Sequence, residues 1–240
     1  MIRILLLTLG LLAFSAFAGQ NSLRYNMSGS NNWVPYYMPD KATPGILGEL
    51  IPLILAEANI EGVQLNLPPK RTNQALLEGK LDFDTVCAEW FPNQKVGPEF
   101  VLSKPLFTVK EYFVGLKDAD KTAHLNHDNI GTVLGYYYYD DSLFNRIDFK
   151  SERELVLALK KARVSRILIG DLTASYWGKR YDVNLDFQKL HTEGLLRLRL
   201  NKQKQHLLPN LNAAIDALTE RGVIARIVSK YTRLYSTNLN

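Results

Sequence analysis

Apolar and polar residues alternate in short runs through the first half of the chain, and between those runs apolar residues recur at steps of three and four. Residues 23–27 alternate with a period of two and predict a strand. A polar stretch at 28–32 and a turn-rich stretch at 39–45 follow. Ile46, Leu47, Leu50, Ile51, Ile54, Leu55 and Ala58 then mark one face of a helix. Pro52 interrupts that face, and a proline is tolerated where the first turn of a helix leaves its N–H groups unpaired, so the pattern predicts a helix with Pro52 in its first turn. Residues 63–67 alternate again, Pro68-Pro69 punctuates, residues 71–78 form a short helix closed by Gly79, and residues 81–87 make a third strand. The order β-α-β-α-β predicts a largely parallel α/β sheet.

The second half repeats the theme more loosely. Strands are predicted at 112–116, at 129–133 before Gly135, and at 166–169 before Gly170-Asp171. Ser151 and Glu154 form a capping box ahead of Leu155, Val156, Leu159 and Ala162. Near the end, Leu211, Ala214, Ile215 and Leu218 share one helix face, Gly222 breaks it, and Val223, Ile224, Ile227, Val228 and Tyr231 continue in a second helix. Two α/β units therefore stand in tandem, with helices closing the chain.

The first residues change where this protein is expected to work. Arg3, the apolar run 4–17 and the small-x-small pattern Ala16-Phe17-Ala18 read as a signal peptide over residues 1–18, cleaved to leave Gly19 first. The run falls short of the ~20 apolar residues a spanning helix needs. No cysteine follows the cleavage site to carry a lipid. A soluble periplasmic protein is the expectation. The net charge of +5 comes from 29 basic and 24 acidic residues that interleave, which argues against a nucleic-acid partner. The single cysteine, Cys87, lies in a strand-like run and reads as a small buried apolar group without a disulfide. The four histidines are scattered, His124 and His127 lack a third ligand, and neither G-x-S-x-G nor H-E-x-x-H occurs, so no metal, cofactor or nucleophile motif is expected.

Several short motifs fall in a fixed order: Trp33-Val34-Pro35-Tyr36 after the first strand, Gly45-Ile46-Leu47-Gly48-Glu49-Leu50 at the first helix, Ala75-Leu76-Leu77-Glu78-Gly79-Lys80-Leu81-Asp82, Leu102-Ser103-Lys104-Pro105-Leu106-Phe107, Ile130-Gly131-Thr132-Val133-Leu134-Gly135, and the closing stretch 213–231 with Lys230-Tyr231. In this order they resemble the bacterial family 3 extracellular solute-binding proteins of amino-acid-type ABC importers. The resemblance covers nearly all of the chain after residue 18. It implies an α/β, two-lobed type II periplasmic binding protein-like fold with two crossing strands as hinge. Lobe one would be residues 19–108 and 194–240, and lobe two residues 109–193. The ligand would sit between them.

The resemblance also directs attention to particular residues. Asp171 falls where the family's lobe-two aspartate reads a ligand ammonium; the alternative is a helix cap. The family's carboxylate-reading arginine is absent. Residues 88–96 occupy that loop, with Val96 at the arginine position, Lys95 beside it, and Glu89 near a position usually Thr or Ser. Glu89 would repel a ligand carboxylate or stand as a rim charge in water. Arg71, at the start of a short helix, is the alternative anion reader or a surface arginine. Trp33, Tyr36, Trp90 and Tyr136 are expected as apolar walls. This set suits a cationic or sugar-like ligand better than an ordinary α-amino acid. The function implied is a monomeric periplasmic solute-binding protein that captures a small polar, amino-acid-like or cationic ligand for an ABC permease or a sensor. The alternatives are a dehydratase-type cleft enzyme using Glu89 and Asp171, and an interaction module that no longer binds a small ligand.

Overall fold

The computed structural model describes residues 22–27, 33–117 and 129–235. The expected signal peptide, the polar stretch 28–32 and the pair His124 and His127 lie outside them. In chain order the elements are β1 (Ser22–Tyr25), α1 (Ile46–Glu57), β2 (Glu61–Gln64), α2 (Pro69–Leu77), β3 (Phe83–Cys87), β4 (Phe100–Leu116), β5 (Asn129–Val133), β6 (Asn145–Phe149), α3 (Glu152–Lys160), β7 (Arg166–Gly170), α4 (Asp171–Tyr181), β8 (Leu185–Asn201), α5 (Leu208–Glu220) and α6 (Val223–Tyr235). The strands order as β2-β1-β3-β8-β4-β7-β5-β6. β1 runs parallel to β2 and β3, and β5 runs parallel to β6 and β7. The long strands β4 and β8 run antiparallel to each other between these two parallel groups. This is the type II periplasmic binding architecture: two α/β units joined by two crossing strands.

The apolar core is divided accordingly. One part gathers Leu23, Ile46, Leu50, Ile54, Phe83 and Leu198 with Leu211, Ile215, Ile224 and Tyr231. It therefore joins the first helix to the last two. A second gathers Val114, Val133, Leu155, Leu159, Ile167, Ala174 and Trp177 from the middle of the chain, and a small third holds Ile130, Tyr138 and Leu168.

Three expectations need correction. Pro52 is not in the first turn of α1 but well inside it. It is exposed while Leu50, Ile51, Ile54 and Leu55 stay buried, so the carbonyl it leaves unbonded faces the solvent side of the helix. The strand expected at 112–116 is only the end of the 17-residue β4. Asp171, whose alternative reading was a helix cap, is not the cap but the first residue of the 11-residue helix α4, and Gly170 is the cap.

The entry to α1 shows local sequence fixing the packing. Ile46 and Leu47 donate their backbone N–H groups to the carbonyls of Pro35 and Tyr36 at 2.9 and 2.8 Å. Gly45 makes this approach with φ +90°, and a Cβ there would lie 2.6 Å from the Pro35 oxygen. The Gly45 N–H is received by the Tyr231 hydroxyl at 3.1 Å, which donates in turn to Glu49 at 2.6 Å, and Lys230 reaches the same carboxylate at 2.7 Å. α6 is thereby tied to the start of α1.

A second tie joins β3 to β8. Asp84 stands opposite Arg199 in the antiparallel ladder, and the guanidinium meets the carboxylate in two bonds of 2.9 and 2.6 Å. Each residue is 1 % exposed. The rings of Phe91, Phe100 and Tyr137 surround the guanidinium at 5.6, 4.9 and 5.7 Å.

Removing one partner of a buried pair strands the other charge, so Asp84→Asn should cost ~3–5 kcal/mol in urea unfolding. The double substitution Asp84→Leu with Arg199→Met should recover most of that loss; a double variant as unstable as the single one would mean the pair is not the source. Tyr231→Phe should cost ~1–3 kcal/mol, because it strips a partner from both the Gly45 N–H and Glu49. Unfolding curves unchanged by that substitution would assign α6 docking to apolar packing alone.

Candidate functional site

Between the two halves lies a cleft of about 480 Å³, part of it open to solvent. The first half lines it with Trp33, with Pro69, Thr72 and Asn73 of α2, with Asp84 and Val86 of β3, and with Trp90. The second half contributes Gly135, Tyr136 and Tyr137 from the turn after β5. The crossing strand β4 contributes Glu111. Among these lining residues two are acidic and none is basic.

The aromatic walls are held from behind. Trp33 stacks on Tyr36 with centroids 4.5 Å apart and meets Trp90 edge-on at 6.4 Å. Tyr36 stacks in turn on Phe107 at 6.2 Å, is 2 % exposed, and belongs to the core rather than to the cleft surface. Tyr136 lines the cleft and donates its hydroxyl to Glu152, which is buried in the first turn of α3. The Ser151 cap that starts this helix, accepting from the Glu154 N–H at 3.3 Å, sets Glu152 in place.

The two halves touch across the cleft. Asn73 donates its amide to the Gly135 carbonyl at 3.1 Å and accepts from Arg199 at 3.1 Å. Phe91 packs on Tyr137 at 4.4 Å. Gly135 has φ +87°, and a Cβ there would fall 2.6 Å from the Lys70 nitrogen, so only glycine lets the turn lie this close to α2.

Glu111 is the odd group of the site. It is 9 % exposed, and its Oε2 has no hydrogen-bond partner. Burial pushes its carboxyl up to about 8; the Trp90 N–H opposes this, while the charges of Glu152 and Asp171 add to it. The Trp90 Nε1 makes no hydrogen bond of good geometry either. Both atoms are buried polar groups in the wall of a cleft.

The residues expected from sequence divide into two groups. Trp33, Trp90 and Tyr136 meet in the cleft; Asp171, Arg71, Glu89, Lys95 and Tyr36 are not among its lining residues. Asp171 is the first residue of α4. It accepts from the Leu172 N–H at 2.7 Å, and burial raises its carboxyl against the pull of that N–H and of Lys110. Glu89 does not point into water: its buried Oε2 lies over Gly194 of β8, where a Cβ would come within 2.7 Å of it. Arg71 and Lys95 are exposed. Cys87 is buried, and burial with the charges of Glu111 and Glu89 keeps its thiol protonated. Glu111, Asn73, Asp84 and Glu152 were missed by motif reading. For Glu111 a signal existed, since it is the one carboxylate in the otherwise largely apolar run 106–116. Among the described residues, no group of three His, Cys, Asp or Glu is placed to hold a metal, and no helix is long and apolar enough to cross a membrane.

No protein-family model matches the chain, and no curated protein sequence does. Solved structures do. A periplasmic His/Glu/Gln/Arg/opine family-binding protein from Silicibacter pomeroyi in complex with lysine superposes with a TM-score of 0.72 at 14 % identity, covering 90 % of this chain and 98 % of that one. A periplasmic binding protein of high arginine specificity from Salmonella typhimurium gives 0.71 at 18 %, covering 90 % and 100 %. An ancestral amino acid-binding protein described as a precursor of cyclohexadienyl dehydratase gives 0.67 at 17 %, covering 88 % and 96 %. Over nearly its whole length the chain is thus similar to periplasmic amino-acid-binding proteins, and what it shares with them is the type II periplasmic binding fold.

Proposed function

We propose that this protein is a periplasmic solute-binding protein that captures a small polar, cationic solute between lobes 19–108 plus 194–240 and 109–193, and presents it to an ABC permease or a sensor. The observation that carries this reading is the cleft itself, a gap between the two α/β units with indole and phenol walls, two carboxylates and no basic lining residue. A recessed gap with aromatic walls and a few polar groups suits a small solute rather than a macromolecule. Each α/β unit gathers most of its apolar residues into its own cluster, which supports two lobes. The contacts from Asn73 to Gly135 and from Phe91 to Tyr137 are those a closing cleft would make. The neighbouring structures that bind lysine and arginine support a cationic solute. Asp171, half-buried at the head of α4, adds negative field to that side, and Arg71 stands exposed on the helix whose Pro69, Thr72 and Asn73 line the gap.

Ordinary α-amino acids lack a counterpart here for their carboxylate. Arg199, buried behind Asp84, is spent on that carboxylate and on Asn73, and Arg71 is exposed and not among the lining residues.

A thermal-shift panel of amino acids, amines, sugars and small carboxylates tests the function. At least one solute should raise the melting temperature, since ligand at ~100 times Kd stabilises by ~2.7 kcal/mol. Within the panel 1,5-diaminopentane should outperform lysine, its carboxylated counterpart; the reverse order would show that a carboxylate is read after all. Trp90→Ala removes a wall worth ~1.5–3 kcal/mol of apolar contact and should weaken the best binder by about 10- to 100-fold in calorimetry. Chemical turnover of the bound solute would instead favour the dehydratase-type enzyme. Complete silence across the panel would favour the interaction module.

A further inference from the structure

We propose that Glu111, on the crossing strand β4, is the residue that reads the positive charge of the ligand, and that it surrenders a proton to solvent as the cation enters. The inference rests on the solute-binding reading above and assigns it a residue, a ligand class and a linked ion.

The geometry points to Glu111 before any other acid in the region. Asp84 lines the same cleft but is bonded to Arg199 through both oxygens. Glu152 already receives the Tyr136 hydroxyl. Asp171 and Glu89 are not lining residues. Glu111 lines the cleft, is nine-tenths buried, and leaves Oε2 without a partner. An unpaired buried carboxylate oxygen is costly in an empty protein and becomes an asset when a donor arrives. An ammonium or guanidinium group supplies donors and a countercharge together.

The surroundings decide what Glu111 carries before the ligand comes. From α3 Glu152 faces it, and from α4 Asp171. The charge of Glu111 is felt by Tyr36, by Cys87 on β3 and by Tyr138 after β5. From the turn after β3 comes the Trp90 N–H. Across the ladder stand Gly170 and Thr192, and His191 beside Thr192 is turned to Asp140 at 2.8 Å. On β4 itself the adjacent Lys110 pairs with Glu193 at 3.3 Å. The groups that push on Glu111 are thus burial and two carboxylates, which hold it as a neutral acid at pH 7. A cation entering the cleft favours the carboxylate, so the acid loses its proton to water and the ion pair forms. Nothing else changes hands: neutral acid plus ligand cation becomes carboxylate–cation pair plus a hydrated proton.

The sign follows from this exchange. Affinity should rise with pH, by up to ~10-fold per unit between pH 6 and 8, and level off above the Glu111 value of about 8. It should fall again only where the amine itself deprotonates, near ~10.4 for a lysine-like amine.

The probe is 1,5-diaminopentane, with 4-aminobutylguanidine as the guanidinium counterpart, titrated calorimetrically from pH 6 to 9 in buffers of different ionisation enthalpy. Wild type should release close to one proton per ligand at pH 7. Glu111→Gln keeps the shape but cannot ionise. It should bind at least ~30-fold more weakly at pH 8, release no proton and lose the pH slope. Its folding has a separate check. A carboxyl raised in the folded state loses stability as pH climbs from the ordinary carboxylate range to about 8, so empty Glu111→Gln should melt above wild type at pH 8.5. Equal affinity in Glu111→Gln, or an unchanged slope, would overturn the proposal and leave the solute-binding function standing. Failure of both probes, with binding of a neutral solute or an amino acid, would do the same. Failure of every solute tested would remove both readings together.

Discussion

Two strands of 17 residues, β4 and β8, lie antiparallel side by side and hold the two α/β units together. Their pairing runs from Phe100 opposite Asn201 to Leu116 opposite Leu185. β3 bonds to β8 on one flank and β7 bonds to β4 on the other, so each parallel group of strands hangs from this one ladder. The ladder is not regular. Its register shifts between Leu102 and Pro105, between Pro105 and Phe107, between Glu111 and Tyr112, and between Phe113 and Val114. Such breaks bend a strand and re-aim its side chains. Glu111 stands at one of them, where the strand that links the two units also contributes a side chain to the lining of the gap.

The buried charges around the cleft obey one rule with opposite outcomes. Asp84 and Arg199 are taken out of water together, with two direct bonds, a third to Asn73 and three aromatic rings around the guanidinium. Their mutual attraction offsets the desolvation each would suffer alone. Glu111 is taken out of water without such a partner, so its charge is suppressed instead. The same pair also reaches the second unit, because Asn73, held by Arg199, bonds the Gly135 carbonyl. One wall of the gap is thus fixed by a paired charge, while the adjoining strand carries an acid whose Oε2 has no partner.

How much of this the sequence disclosed depends on the range of the contact. Local patterns were legible. The helical spacing of Ile46 to Leu55, the Ser151 cap and the runs at β1 and β3 correspond to elements in the structure, whereas the strand expected at 63–67 lies earlier, at Glu61–Gln64. The pattern of β8 was not read as a strand because the exposed polar residues Gln188, Lys189 and Glu193 break up its first part, and because Arg197 and Arg199 alternate with Leu196, Leu198 and Leu200 in a way that suggests a surface strand. Arg199 is in fact 1 % exposed, since its neutralising partner lies 115 residues away in sequence. The site shows the same limit. Trp33, Trp90 and Tyr136 were found because bulky aromatics on loops carry their own signal. Glu89 was read as a loop charge, yet it folds back over Gly194, a contact set by the ladder and invisible in the local string. Glu111 sits between apolar neighbours whose pattern says strand and says nothing of which face meets a cavity.

The junction of α6 with α1 has a consequence for the order in which the molecule assembles. Leu23 and Tyr231 belong to one core, and the hydroxyl of Tyr231 receives an N–H from Gly45, 186 residues earlier in the sequence. A chain that emerges N-terminus first therefore cannot complete this core until its last helix has appeared. The second core is drawn almost wholly from Val114 to Trp177 and is available sooner. The middle of the chain can bury its own core while β1 to β3 still wait for their cover. Contacts of such long sequence separation form slowly and leave apolar surface exposed meanwhile. The interval before α5 and α6 dock is thus the period in which the apolar surface of the first unit stays uncovered.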